Sequence, residues 1–134
     1  NLDMNHVDID PERGNSLTLF GNYQSDVDQV RNIVSLLESE RPELASNYTI
    51  NIRTLDGPKN TATGMPYNSD HGPFVYDTVQ DDNDKPGHAL VCYGSGSHEY
   101  HTYADDMTRF NEESLAISSI IYGTYARYLA WGEV

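Results

Sequence analysis

The chain has 134 residues, and its 21 acidic against 8 basic side chains give a formal charge of −13. That length suits one domain, or part of one, that can bury roughly 70% of its unfolded surface, and 37% hydrophobic residues with 10% aromatics argue against disorder. The acidic excess argues against nucleic acid and anionic membranes as partners, because binding to either polyanion rests on clustered Lys and Arg, and Lys59 and Lys85 are the only lysines.

No run approaches the roughly 20 apolar residues of a membrane span, and no charged-then-apolar leader is present. A first residue Asn1 in place of Met suggests a mature chain or a fragment. The single cysteine, Cys92, excludes an internal disulfide and a four-cysteine zinc site. An Asp-rich surface with few lysines suits the outside of a cell or a high-salt environment. Asn47-Tyr48-Thr49 fits the sequon for N-linked glycosylation, a short pattern that chance also supplies.

In chain order, Leu2 to Met4 reads as the end of a strand that carries Asp3. Ser25 is placed to cap a helix whose apolar residues Val27, Val30, Ile33, Val34 and Leu37 recur at three- and four-residue steps, and Pro42 closes it. Tyr48, Ile50 and Ile52 alternate with polar residues as in a strand, which Gly57-Pro58 stops. A long Gly, Pro, Thr and Asn loop leads to a helical turn between Ser69 and Tyr76, then to an acidic stretch. There Asp81-Asp82-Asn83-Asp84 resembles a calcium loop, but Lys85 stands where a further oxygen ligand belongs.

Ala89 to Tyr93 reads as a buried strand ending at Gly94 and Gly96, with Cys92 an inert core residue. Asn111 caps a last helix with Glu112 and Glu113 in its first turn, where the helix dipole favours anions. Leu115, Ser118, Tyr122, Tyr125 and Leu129 mark its expected buried face, and Gly132 ends it. Tyr122, Tyr125 and Tyr128 form a stripe suited to packing against another chain, and His6 and His88 read as surface or packing residues. The alternation of strands and helices predicts an α/β layered domain. Three strands alone leave open edges, so further strands are expected from a preceding segment or a second chain.

Polar clusters fall where strands end, the usual place for ligands in α/β sheets. His98 and His101, three apart, lack the four-residue step of the thermolysin-type zinc motif. Three stretches taken in order, however, resemble the co-catalytic di-zinc aminopeptidase family of the aminopeptidase S and aminopeptidase Y type, related to glutaminyl cyclases. They are Asn1-Leu2-Asp3-Met4, Ser69-Asp70-His71-Gly72-Pro73-Phe74, and Glu99-Tyr100-His101-Thr102 followed by Asp105 and Asp106.

The resemblance covers nearly the whole chain and implies that residues 1–134 form the C-terminal portion of one zinc-peptidase domain. The implied fold is a partial three-layer α/β/α zinc-exopeptidase (phosphorylase/hydrolase-like) domain with a mixed, mostly parallel sheet. Asp3 would hold one zinc ion and His101 the other, Tyr100 would stabilise the tetrahedral intermediate, and Asp70 and His71 would orient the site. Two zinc ions are implied in the complete domain, with a peptide as substrate. The family's remaining ligands and its Glu-Glu base pair lie upstream of the Asp-Met strand and are not in this sequence. Glu112-Glu113, the only adjacent Glu pair, is a helix-start pair. An isolated chain is therefore expected to be inactive and to need an N-terminal segment or second chain.

Two alternatives stand beside this expectation. One is a non-catalytic structural or self-assembling module of the same fold, in which the tyrosine face and strand edges serve a homo-oligomer. The other is a glutaminyl-cyclase relative with one zinc.

Overall fold

The computed structural model describes residues 1, 16–55, 69–77, 84–94, 102, 103 and 106–132. In chain order these form β1 (Ser16–Gly21), α1 (Gln24–Glu40), α2 (Pro42–Ala45), β2 (Thr49–Thr54), α3 (Gly72–Tyr76), β3 (Leu90–Gly94) and α4 (Glu112–Trp131), with a 3-10 turn at Met107–Arg109 before α4. The strand order is β2-β1-β3, with β1 parallel to β2 and antiparallel to β3. A small mixed sheet with helices is an α/β arrangement, as the alternation predicts. No helix among the described residues is long and apolar enough to cross a membrane.

β1 is the central strand, and nothing in the expected order of elements includes it. Its Leu17 and Leu19 point to the face that receives α1 and α4, beside Leu90 and Cys92 of β3. Val30, Ile33, Val34 and Leu37 of α1 and Ile117, Ile121 and Tyr125 of α4 complete that core. The opposite face is smaller: Phe20 and Val91 pack with Leu55, Tyr76 and Ala89.

Two helix details differ from the sequence expectation. Tyr23, not Ser25, is the N-cap of α1, and it caps without its side chain; the Val27 amide bonds to the Tyr23 carbonyl, starting the helix earlier. The buried stripe of α4 is Ser114, Ile117, Ser118, Ile121 and Tyr125, so Leu115, Tyr122 and Leu129 sit off its centre, and Leu129 is 65% exposed. Both stripes satisfy helical periodicity, and packing of the compact Ile117 and Ile121 between α1 and the sheet selects the rotation. Tyr122 and Tyr128 pack on this chain's own core beside Tyr125.

The ends of α4 agree with the sequence. The Asn111 side chain accepts from the Ser114 amide at 3.0 Å, and Gly132, at φ +73°, closes the helix in the left-handed region that favours glycine. Pro42 opens α2 directly after α1, where its missing N–H costs nothing. Residues 2–15 and 95–101, which hold Asp3, His6, His98, Tyr100 and His101, lie outside the described residues, as do Asp81, Asp82, Asn83 and Asp105.

Ile117→Ala should lower stability by about 2–5 kcal/mol, because it leaves a cavity between α4 and the sheet, whereas Leu129→Ala should change it by less than about 0.5 kcal/mol. Urea unfolding of the two variants checks the rotation of α4 directly.

Candidate functional site

The candidate site is built on the side of β3 away from β1. The backbone nitrogen of Asn1 donates to the Leu90 carbonyl at 2.9 Å, and the Cys92 amide donates to the Asn1 carbonyl at 3.2 Å. These are the two bonds that a parallel partner makes opposite one residue, here Val91. Asn1 thus sits against β3 as one residue of a parallel partner would.

Its side chain reaches the other resemblance stretch. Asn1 Nδ2 donates to Ser69 Oγ at 2.8 Å and lies 3.5 Å from His71 Nδ1, a long contact. Local backbone chemistry holds this stretch in place. The Gly72 amide bonds to the Ser69 carbonyl at 2.9 Å, and the Phe74 and Val75 amides bond to the His71 carbonyl. His71 is the N-cap of α3, and Pro73 occupies the first turn, where no amide proton is needed. The His71 ring is 3% exposed and stands edge-on to Phe20 at 6.4 Å. Asp70 is exposed, so these neighbours meet different surroundings.

Two hollows flank Asn1 and share Asn1, His88, Ala89 and Leu90 in their walls. One, of about 240 Å³, is completed by Asp70, His71 and Phe74; the other, of about 280 Å³, is completed by Asp26, Tyr122, Tyr125 and Leu129. The segment that precedes β3 is fixed by Asn22, whose side chain donates to the Gly87 carbonyl and accepts from the Ala89 amide, both at 2.9 Å. A Cβ on Gly87 would collide with the Phe74 carbonyl, so glycine permits this close approach of α3.

His88, expected at the surface or in packing, is exposed but engaged. Its Nδ1 lies 2.7 Å from Asp26 Oδ2, and its ring stacks on Tyr23 at 3.8 Å. Burial, then the neighbouring Asp26 carboxylate, pushes the Tyr125 phenol up to about 12. Burial also raises Tyr122, whose hydroxyl is buried and has no hydrogen-bond partner among the described residues. Cys92 is fully buried and its thiol is pushed up to about 12, which makes it inert as expected.

Of the residues expected at the site, Asp70 and His71 are placed as above, and Asp3, Tyr100 and His101 lie outside the described residues. Asp106 caps the 3-10 turn, its Oδ1 accepting from the Thr108 amide at 2.9 Å and from the Thr108 hydroxyl. Among the described residues, no group of three His, Cys, Asp or Glu side chains could hold a metal ion. Sequence reasoning missed the Asn1–Ser69 contact and the Asp26–His88 pair. Their members are 68 and 62 positions apart, and no spacing rule joins them.

The sequence matches no family model, no curated protein and no solved structure.

The Cys92 thiol supports a stability prediction. Its folded value of about 12 exceeds its ordinary 9.0, so between these values the unfolded chain has lost a proton that the folded chain retains. Stability should therefore be full below about pH 9 and fall as pH rises toward about 12, in urea titrations across that range. A thiol reagent at pH 8 should leave the folded chain unmodified and label it in urea.

Proposed function

We propose that this chain is the C-terminal part of a di-zinc aminopeptidase domain that removes N-terminal residues from peptides, completed by an upstream segment or second chain. One observation carries the reading. The stretches beginning at Asn1 and at Ser69, two of the three on which the resemblance rests, meet through the 2.8 Å Asn1–Ser69 bond. Two peptide units separate Asp3 from Asn1, a span of at most about 7 Å. The parallel seat of Asn1 on β3, with α1 and α4 on one sheet face and Tyr76 of α3 on the other, supports a partial three-layer α/β/α domain with its sheet continued past Asn1.

The donors this chain offers, the Asp3 carboxylate and the His101 imidazole, suit zinc in kind. In number they fall short, one for each ion, and the described residues add no metal-binding group. The remaining ligands and the general base would come from the completing polypeptide. When bound, a pair of zinc ions supplies an activated water and a polarised carbonyl. In this reading the Tyr100 phenol donates a hydrogen bond to the developing oxyanion, and His71, held against Phe20 with Asn1 and Ser69 beside it, keeps the Asp3 strand end in position. The acidic, lysine-poor composition fits a secreted protein in a salty medium.

A second reading, a non-catalytic assembly module of the same fold, draws on the exposed Phe74, Leu129 and Trp131.

Zinc content and hydrolysis of aminoacyl anilides by the assembled protein distinguish the two. The peptidase reading expects close to two zinc ions per unit, activity abolished by a chelator, no activity for His101→Ala, and a fall of about a hundredfold for Tyr100→Phe. Assembled protein that holds no zinc and does not hydrolyse the anilide would leave the assembly module.

A further inference from the structure

We propose that Asn47 is a site of N-linked glycosylation, an inference independent of the peptidase reading. The sequon Asn47-Tyr48-Thr49 occupies the junction between α2, which ends at Ala45, and β2, which begins at Thr49. The backbone reverses there, with the Tyr48 amide bonded to the Ala45 carbonyl at 3.1 Å.

The middle residue anchors the junction. Tyr48 is 8% exposed, belongs to the main core, and donates its hydroxyl to Asn111 Oδ1 at 3.1 Å. With Tyr48 directed inward, both Asn47 and Thr49 are exposed. The two residues whose side chains define an acceptor site therefore face solvent, and the residue whose identity matters least is the one the core consumes.

The hydrogen bond that the acceptor amide makes to Glu113 tolerates the modification. Asn47 Nδ2 donates to Glu113 Oε1 at 3.1 Å, an exposed contact with the first turn of α4. An amide nitrogen carries two protons. In the transfer, Nδ2 forms a bond to C1 of a sugar while the C1–oxygen bond of a lipid-linked oligosaccharide diphosphate breaks. One amide proton is released and the lipid diphosphate leaves. The second proton remains to donate to Glu113.

The location is also compatible with the rest of the molecule. β2 is the outer strand of the β2-β1-β3 order, at the opposite side of the sheet from Asn1. A glycan at Asn47 stands clear of both hollows beside Asn1, at the start of a strand edge that is open among the described residues. A bulky hydrophilic group there discourages edge-to-edge pairing.

The test uses the protein recovered from its own source. Treatment with an amidase that releases N-glycans should lower the intact mass and leave Asp at position 47 in the peptide map. Asn47→Gln and Thr49→Ala should both abolish the modification, whereas Thr49→Ser should retain it. Thr49→Ala leaves the Asn47–Glu113 bond available, so its loss of glycan reports recognition of the sequon and not a disturbed turn. An unmodified Asn47 peptide from that source, or a glycan that persists in Thr49→Ala, overturns the proposal.

Discussion

The seat of Asn1 is the constraint on which the candidate site depends. One residue satisfies the Leu90 carbonyl and the Cys92 amide with its backbone and Ser69 with its side chain. Each such bond contributes only about 0.5–1.5 kcal/mol net, but leaving partly buried partners unmet costs more. Its effect is mainly geometric. It joins the edge of β3 to the loop that starts α3, and it stands between the two hollows.

The seat is firm because the strand beneath it is firm. β3 is held by β1 on its other side, and Val91 and Cys92 are fully buried on opposite faces. α1 and α4 close one face with aliphatic side chains, so the larger core stabilises the sheet from behind. The Asn22 bridge and the close approach at Gly87 fix the segment entering β3 against α3. The helix ends near the hollows are capped: α3 by bonds to the His71 carbonyl, and α4 by Asn111 and Gly132.

How much of this the sequence revealed follows the range of the interactions involved. The apolar stripe of α1, the extent of α4, the caps Asn111 and Gly132, and the burial of Cys92 are local or compositional, and they were legible. β1 carried a usable signal in the Leu17-Thr18-Leu19 alternation before Gly21-Asn22, but Phe20, buried on the second face, breaks the two-residue pattern. The rotation of α4 was ambiguous because its apolar residues run almost all round, and only contact with α1 and the sheet chooses Ile117 and Ile121. At the site, Asp70 and His71 were singled out by resemblance, whereas the burial of His71 beside Phe20 and Asn1 involves residues remote in sequence. The Asp26–His88–Tyr23 cluster likewise forms only after the chain folds.

The claim that the Asn1 and Ser69 stretches are joined is tested most directly by a double-mutant cycle on stability with Asn1→Ala, Ser69→Ala and the pair. The account predicts that the two single losses overlap, with a coupling of about 0.5–1.5 kcal/mol in urea unfolding. Strictly additive effects would mean that the two stretches do not meet and would remove the structural support for a shared site.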